Sequence, residues 1–214
     1  MKDNIANFRE DYQAGSLNKE DMLANPIQQF QIWMQAAIQQ EVKEPNAMTL
    51  ATATSDGIPS ARIVLLKGYG EDGFVFYTNY NSVKGNELDS NPHAALVFCW
   101  LQMERQIRIQ GTVERISKED STTYFHSRPK GSQIGAWASP QSRTLENRSI
   151  LENNKANLEQ QYAEAEQLPC PPYWGGYRVI PHKIEFWQGR TSRLHDRWRY
   201  TKEDGVWKME RLAP

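Results

Sequence analysis

Apolar residues in this chain recur at helical spacing between residues 26 and 42 and at strand spacing afterwards. Within 26–42, apolar side chains lie three or four positions apart and glutamines fill the gaps, which predicts an amphipathic helix. Its apolar positions are Ile27, Phe30, Ile32, Trp33, Ala36, Ala37 and Ile38. Pro45 ends the helical pattern, because proline lacks the N–H group that a continuing helix needs.

Short apolar runs bounded by turn residues follow the helix and predict a series of β-strands. They occupy residues 48–53, 61–66, 74–78, 94–100 and 106–113. Most connections between them are too short for a crossover helix, and two contain an Asp-Gly turn signal, so the strands are expected to pair antiparallel. The pattern indicates a mainly β fold with flanking helices (α+β), in which the sheet curls strongly or closes into a barrel.

The second half of the chain contains polar helical segments followed by further strands. Helices are predicted at 117–127, 130–138 and 148–167, and strands at 177–180, 183–188, 198–201 and 207–212. The proline-rich segment 168–172 separates the two groups as a rigid linker. We expect a single domain overall, with an N-terminal arm and helix over residues 1–45 and the main body over residues 46–214.

Composition excludes several classes of partner. The formal net charge of −1 gives no bulk attraction to nucleic acid or to an anionic membrane, so any anion binding must be local. The chain shows no signal-peptide pattern and no apolar run of ~20 residues. Cys99 and Cys170 form no Cys-x-x-Cys motif, which indicates a reducing compartment and a cytoplasmic location. The four histidines are dispersed, so no metal site is expected.

A glycine pattern at residues 68–73 matches the Gly-x-Gly-x-x-Gly spacing of dinucleotide-binding loops, but its context argues against that function. The fingerprint requires a helix after the glycines, because the helix N-terminus receives the pyrophosphate. Residues 74–78 instead predict a strand. We therefore interpret residues 68–73 as a hairpin loop.

Cationic residues mark the ends of one predicted strand and the start of one predicted helix. Arg62 and Lys67 are separated by an odd number of positions, so strand alternation directs them to opposite faces and to different groups. Solvated strand ends are the alternative. At 81–86, Ser82, Lys84 and backbone N–H groups can surround a phosphate, although an ordinary capped helix explains this segment equally well.

Tyr124, Arg128 and Ser132 recur at intervals of four residues and provide a phenol, a guanidinium and a hydroxyl group. Pro129 is expected to break the helix between them, so the three side chains would converge across a helix-turn-helix. Such a set of donors suits a phosphate. A merely structural role is the alternative.

The segment 184–197 combines an apolar strand with Trp187, Arg193, His195 and Arg197. Tryptophan offers a flat face, arginine a planar fork for phosphate or carboxylate, and histidine a group that exchanges a proton near neutral pH. The combination predicts a pocket for an aromatic, anionic ligand. A solvated edge strand is the alternative.

Together and in this order, these segments resemble the pyridoxamine 5′-phosphate oxidase family, the flavin enzymes of vitamin B6 metabolism. The resemblance covers about residues 8–214 and rests on residues 62–67, 76–79, 124, 128, 132, 141–142, 185–189, 193–197 and 211–214. Only the block from Trp187 to Arg197 is specific when taken alone.

The resemblance implies an FMN-binding split β-barrel in a homodimer, with FMN at the subunit interface. The implied FMN contacts are Arg62, Ile63, Val64, Leu65, Leu66, Lys67, Tyr77, Thr78, Lys84, Gln106, Gln141, Ser142, Trp187 and Arg197. The implied substrate contacts are Lys67, Tyr124, Arg128 and Ser132 at the phosphate, Arg193 and His195 at the pyridine ring, and Arg9 and Tyr12 in a mobile cover. Val83 departs from the family pattern, which commonly has arginine there, so Lys84 and Arg62 must carry more of the phosphate's charge.

The implied reaction is oxidation of pyridoxamine 5′-phosphate or pyridoxine 5′-phosphate to pyridoxal 5′-phosphate. Dioxygen is the acceptor and gives hydrogen peroxide, and the amine substrate also releases ammonia. Arg193 and His195 would hold the ring and handle the proton, with the identity of the base left open. The first alternative is a split-barrel flavin-binding protein or flavin reductase without B6 oxidase activity. A non-enzymatic interaction protein is the second alternative.

Overall fold

The computed structural model describes residues 7, 8 and 10–214. Its helices are α1 (Pro26–Gln39), α2 (Val83–Ser90), α3 (Lys118–Ser127), α4 (Lys130–Ala138) and α5 (Ser149–Gln161). Its strands are β1 (Ala47–Ala53), β2 (Pro59–Leu65), β3 (Gly68–Gly70), β4 (Gly73–Asn79), β5 (His93–Trp100), β6 (Arg105–Arg115), β7 (Trp174–Gln188), β8 (Asp196–Glu203) and β9 (Val206–Leu212). None of the described helices is long and apolar enough to cross a membrane.

The strands hydrogen-bond in the order β2-β1-β5-β6-β7-β4-β3, and β8 pairs with both β7 and β9. The β3–β4, β4–β7, β7–β8 and β8–β9 pairs are antiparallel. In β4–β7, Tyr77 lies opposite Gly176 and Asn79 opposite Trp174. In β7–β8, Trp187 lies opposite Arg197. The fold is therefore mainly β, with one helix before the first strand and the others in the connections between strands.

Two compact units divide the chain. Unit 1 contains the described residues up to Leu50 together with Ala95–Gly111 and Pro181–Pro214, and unit 2 contains Ala51–Ala94 and Thr112–Ile180. The expected boundary between residues 45 and 46 stays a prediction.

In unit 1, helix α1 packs an aromatic face into the core. Asn25 starts the helix by accepting hydrogen bonds from the first free backbone N–H groups, and proline occupies the first helical position. The ring of Phe30 lies 5.1 Å from that of Phe98, and Trp33 lies 5.1 Å from Phe186, in edge-to-face geometry. The helix ends at Gln39, three residues before the predicted end.

Also in unit 1, the segment before α1 is fixed to strand β8. The carboxylate of Asp196 accepts a hydrogen bond from the backbone N–H of Leu17 at 3.0 Å and pairs with Arg190 and Arg211. The indole N–H of Trp198 donates to the Leu17 carbonyl oxygen at 3.0 Å. These contacts hold the chain that leads to Tyr12 against the loop that carries His195.

Unit 2 contains a second apolar cluster formed by Phe125, Ile134, Leu168 and Trp174. It joins α3 and α4 to the start of β7. Ser117 caps α3 by accepting a hydrogen bond from the backbone N–H of Asp120.

Three expected elements differ from the structure. Residues 68–73 were predicted to be a loop, but they contain the short strand β3, which forms a hairpin with β4, while the preceding strand β2 pairs with β1. The strands predicted at 177–180 and 183–188 are one strand, β7, because Pro181 falls between its pairing with β4 and its pairing with β8. Helix α5 ends at Gln161, six residues before its predicted end. Lys130 Nζ donates hydrogen bonds to the carbonyl oxygens of Ala163 and Ala165, which follow the helix.

Candidate active site

A pocket of about 930 Å³ in unit 2 brings together most residues predicted to bind a phosphorylated cofactor or substrate. That volume suits an organic ligand of cofactor size. The predicted residues that line it are Arg62, Ile63, Val64, Leu65, Lys67, Tyr77, Thr78, Lys84, Tyr124, Arg128, Ser132, Gln141 and Ser142. Leu66 does not line the pocket, and its side chain is buried.

The start of helix α2 provides one cationic position in this pocket. Ser82 caps the helix through the backbone N–H of Gly85, and Lys84 Nζ lies 3.1 Å from Thr78 Oγ1 and 3.3 Å from Ser82 Oγ. Burial, and secondly the charge of Arg62, lower the pKa of Lys84. Among the described residues no carboxylate forms an ion pair with Lys84. A buried ammonium group that forms no direct ion pair suits an anionic ligand.

Arg62 lies close to Lys84 but is partly neutralised. Its guanidinium donates to Thr52, Ser60 and the buried carboxylate of Glu87, with an N–O separation of 3.3 Å in the ion pair. Burial opposes the ionisation of Glu87, but hydrogen bonds from Thr52 and Ser60 and the charge of Arg62 outweigh it and lower the pKa. Sequence reasoning missed Glu87, because no motif distinguishes this carboxylate from other helical glutamates.

The expectation that Arg62 and Lys67 serve opposite faces is wrong, because both line the same pocket. Strand β2 ends at Leu65, so the alternation of side chains does not extend to Lys67. The backbone N–H of Lys67 instead donates to Val75 of strand β4 at 2.8 Å.

Helices α3 and α4 provide a second group of phosphate donors. Arg128 follows α3 in extended conformation and Pro129 precedes α4, so Tyr124, Arg128 and Ser132 converge on the pocket across the predicted helix-turn-helix. The Nη1 atom of Arg128 is buried and has no hydrogen-bond partner. Leaving a buried guanidinium N–H without an acceptor costs free energy, so this group is suited to donate to an acceptor atom of a bound ligand.

Gln141 and Ser142 belong to the loop after α4 and reach the same pocket. Gln141 Oε1 accepts hydrogen bonds from Thr78 Oγ1 at 3.2 Å and from the backbone N–H of Asn79 at 3.3 Å. Ser142 has a left-handed φ of 68°, which is uncommon for a residue other than glycine. These contacts connect the loop to the end of β4.

In unit 1, Tyr12, Trp187 and His195 form an aromatic cluster. The ring centroids of Trp187 and His195 are 4.6 Å apart, and Tyr12 lies 5.7 Å from Trp187 and 5.6 Å from His195. Gly189 permits this approach, because a Cβ atom there would lie 2.8 Å from Tyr12 Cγ. Arg9, predicted to act with Tyr12, lies outside the described residues.

The loop between β7 and β8 fixes the tautomer of His195. The backbone N–H of Arg190 donates to His195 Nδ1 at 3.1 Å, so the neutral ring carries its proton on Nε2. Burial, and secondly the charge of Arg193, lower the pKa of His195. Ser192 and Arg193 have left-handed φ values of 55° and 61°. Backbone strain of this kind is typical of functional loops.

Arg197 is held by two acceptors in unit 1. Its Nε donates to Glu185 Oε1 at 2.8 Å and its Nη1 to the Ala213 carbonyl oxygen at 2.7 Å, while Arg108 binds the other oxygen of Glu185. Burial opposes the ionisation of Glu185, but hydrogen bonds from Arg197 and Arg108 outweigh it and lower the pKa. Gln106 lies on β6 in unit 1 and does not line the unit 2 pocket.

We expect Glu185→Gln to destabilise the protein by roughly 1–3 kcal/mol at pH 7, between the values for exposed and buried ion pairs. The native pKa of Glu185 lies below the ordinary 4.5, so its stabilising effect is present above pH 4.5 and is lost as pH falls through the native pKa. Urea unfolding of the wild type and Glu185→Gln, at pH 7 and at lower pH, measures the difference in free energy of unfolding. A difference between the two proteins that stays constant down to acid pH would contradict it.

No group of three or more His, Cys, Asp or Glu side chains in the described part of the chain is arranged to hold a metal ion. The donor set around the pocket is instead cationic and hydroxylic. Such a set fits phosphate groups and an aromatic ring system, and the buried, unpaired Nη1 of Arg128 is consistent with that fit.

Comparisons with known proteins agree with this geometry. Residues 34–162 match the family described as pyridoxamine 5′-phosphate oxidase, and residues 174–214 match the pyridoxine 5′-phosphate oxidase C-terminal dimerisation region. The pyridoxine/pyridoxamine 5′-phosphate oxidase of Salinibacter ruber is 55% identical over 212 residues, which cover 98% of this chain and 99% of the relative. The protein of the same name from a Cyanothece species is 53% identical over 214 residues, which cover 100% of both chains.

Solved structures show the same fold. PhzG from Burkholderia lata, in complex with tetrahydrophenazine-1-carboxylic acid, is 34% identical with a TM-score of 0.87, covering 92% of this chain and 98% of that chain. An FMN-binding protein from Nostoc punctiforme, related to pyridoxamine 5′-phosphate oxidase, is 18% identical with a TM-score of 0.67, covering 90% of this chain and 100% of that chain. The expected antiparallel split β-barrel with flanking helices is confirmed. From these matches we conclude that the chain is an oxidoreductase of the pyridoxamine 5′-phosphate oxidase family.

Proposed function

We propose that this protein oxidises pyridoxine 5′-phosphate and pyridoxamine 5′-phosphate to pyridoxal 5′-phosphate, with FMN as cofactor and dioxygen as acceptor. Hydrogen peroxide is the second product, and the amine substrate also yields ammonia. The observation that carries the proposal is the pair of separate cationic positions in one pocket, Lys84 with Arg62 and Arg128 with Tyr124. Two such positions suit two phosphates, one on the cofactor and one on the substrate.

FMN would be held in the unit 2 pocket by Lys84, Thr78 and Arg62 at its phosphate. Lys84 fits this role because it is buried and its Nζ atom contacts the hydroxyl groups of Thr78 and Ser82. Gln141 and Ser142 would add polar contacts from the neighbouring loop. The capacity to accept a hydride comes from FMN when it is bound, and the protein supplies binding and orientation.

Tyr124, Arg128, Ser132 and Lys67 would hold the phosphate of the substrate. Arg193 and His195 would contact its pyridine ring and handle the proton that leaves C4′. In the tautomer set by Arg190, the Nε2–H group of His195 is a hydrogen-bond donor, which suits a substrate oxygen or ring acceptor. Tyr12 would cover the ring from the N-terminal segment.

A homodimer is part of the proposal, with FMN at the interface between subunits. Its support is the match of residues 174–214 to the C-terminal dimerisation region. Trp187, Arg197 and Gln106 would contribute FMN contacts in that assembly.

The first experiment adds each B6 substrate to the yellow holoprotein under air and follows pyridoxal 5′-phosphate absorbance and oxygen uptake. Formation of the aldehyde with oxygen consumption is the expected result. A yellow protein that oxidises neither substrate would instead support a flavin-binding protein or flavin reductase. A protein that takes up no flavin would contradict both functions.

The structure of PhzG provides a further comparison, because its ligand carries a carboxylate and no phosphate. A parallel assay with tetrahydrophenazine-1-carboxylic acid therefore tests whether the side chains proposed to bind the substrate phosphate contribute to substrate selection. We expect kcat/KM to be higher for the phosphorylated substrates, because Arg128 has a buried N–H without a partner.

We expect Val83→Arg to tighten FMN binding by about tenfold, the value of one added charge-assisted hydrogen bond at a partly exposed position. Val83 lines the pocket beside Lys84 and is 49% exposed. Titration of the apoprotein with FMN measures the change. Asn86→Arg, on the same helix but outside the pocket lining, is the control and is expected to have little effect. Equal FMN affinity in the wild type and Val83→Arg would mean that valine at position 83 does not weaken FMN binding.

A further inference from the structure

Three aromatic rings lie nearly parallel at the unit 2 pocket. The ring centroids of Tyr77 and Tyr124 are 3.9 Å apart with an interplanar angle of 19°, and Trp174 lies 5.5 Å from Tyr77 and 6.2 Å from Tyr124 with angles of 14° and 5°. All three residues line the pocket. We call Tyr77, Tyr124 and Trp174 the aromatic stack.

The stack is fixed from two sides. Phe125 packs edge-on against Trp174 at 5.2 Å, so the indole is fixed within the apolar cluster of unit 2. Gly176 lies opposite Tyr77 in the sheet, and a Cβ atom there would lie 2.9 Å from Tyr77 Cε1. The missing side chain therefore lets Tyr77 lie flat against β7. Trp174 itself is only 8% exposed.

Arg128 contacts Trp174 of the aromatic stack and the neighbouring Phe125 rather than a counterion. The central carbon of its guanidinium lies 4.8 Å from the Trp174 ring centroid and 5.9 Å from that of Phe125, both within cation–π range. No carboxylate among the described residues pairs with Arg128, and its Nη1 is buried without an acceptor. An aromatic face orients a guanidinium while leaving its N–H donors free for a ligand.

We propose that Trp174 is a positioning residue for the substrate-phosphate site and sets the orientation of both Arg128 and Tyr124. This inference rests on the proposed function, in which those two side chains bind the phosphate. Arginine has many rotamers, and restricting them before binding lowers the entropic cost of capturing a ligand. A carboxylate in place of the indole would orient the guanidinium equally well but would neutralise it.

The test compares variants that remove or retain the aromatic face. Trp174→Leu and Trp174→Met are expected to raise KM for pyridoxine 5′-phosphate by about tenfold, because the cation–π and stacking contacts are lost. Their kcat is expected to stay within about threefold of the wild type, since the phosphate is bound alike in ground and transition states. Trp174→Phe keeps a flat face and is expected to restore KM to within about threefold of the wild type.

A double-mutant cycle separates positioning from general destabilisation. In the Arg128→Ala background, Trp174→Leu is expected to raise KM by less than about threefold, because its effect passes largely through Arg128. Trp100→Leu is the matched control, because Trp100 is a buried tryptophan of unit 1. It is expected to lower the melting temperature without raising KM. Should the leucine variant of Trp174 not fold, the methionine variant takes its place in the cycle, since methionine fills irregular apolar space.

An unchanged KM in folded Trp174→Leu or Trp174→Met, or equal KM increases with and without Arg128, would overturn the inference. Turnover by the wild-type holoenzyme tests the proposed function separately. If the wild type oxidises neither B6 substrate, equilibrium dialysis with pyridoxal 5′-phosphate still compares the variants. Weaker binding to Trp174→Leu or Trp174→Met would then support the positioning role, and a wild type that fails to bind this probe would overturn it.

Discussion

Replacing Arg128 by alanine is expected to raise KM for pyridoxine 5′-phosphate by about 30-fold or more, which corresponds to ~2 kcal/mol for a charge-assisted contact. The change in kcat should be small, because a phosphate far from the reacting carbon is held in the ground and transition states alike. Steady-state kinetics of the FMN-loaded enzyme measures both constants. The structural basis is the buried Nη1 atom, which has no acceptor of its own.

Two variants control this result. Arg128→Lys keeps the charge but loses the planar fork, so we expect an intermediate KM. Arg148→Ala removes an exposed arginine whose partner is Glu152 on the surface of α5, and KM should not change. An unchanged KM in Arg128→Ala would remove Arg128 from the site and leave Lys67, Tyr124 and Ser132 as the remaining phosphate donors.

Alanine at Arg193 or at His195 is expected to reduce kcat/KM by about 30-fold or more in each variant, equivalent to ~2 kcal/mol of transition-state stabilisation. Both side chains belong to the loop after β7, where Ser192 and Arg193 have left-handed backbone conformations. Each variant must still bind FMN for the comparison to be valid. Near wild-type kcat/KM in both would contradict their assignment to the reacting ring.

The pH profile gives an independent measure of His195. Burial and the charge of Arg193 place its pKa below the ordinary 6.5, so the neutral ring persists into mildly acidic solution. Protonation would put a second N–H opposite the Arg190 N–H and break their hydrogen bond. We therefore expect kcat/KM to fall as pH decreases through a value below 6.5, and His195→Ala to lose this transition. His93→Ala, at an exposed position, is the control and should keep it.

Local sequence patterns predicted much of the fold. The helical spacing of apolar residues from residue 26 predicted the start of α1, and the structure adds the Asn25 cap and the proline at the first helical position. The start of α3 was predicted to within one residue, and Ser117 is its N-cap. Short apolar runs predicted most of the strands, and in β1 and β5 buried positions alternate with less buried ones. Residues 181–182 were left out of the strands predicted at 177–180 and 183–188, but they belong to β7, where Pro181 falls between the residues that pair with β4 and those that pair with β8.

Of the candidate site, the sequence predicted only those residues whose spacing or neighbours in the chain form a recognisable pattern. The convergence of Tyr124 and Arg128 followed from helical spacing and a helix-breaking proline. Glu87 and Trp174 were missed as site residues, because their roles depend on distant segments, strand β2 in one case and helix α3 in the other. The placement of Lys67 was misjudged for a related reason, since the end of β2 is set by its neighbours in the sheet.

The buried ammonium group of Lys84 has a practical consequence for handling the protein. We expect small oxyanions, such as inorganic phosphate or sulfate, to bind at this position, where Thr78 and Ser82 lie within hydrogen-bonding distance of Nζ. Buffers that contain such anions would compete with the flavin during purification and would make its affinity seem weaker than it is. Chromatography and titrations of the apoprotein therefore belong in buffers without phosphate or sulfate.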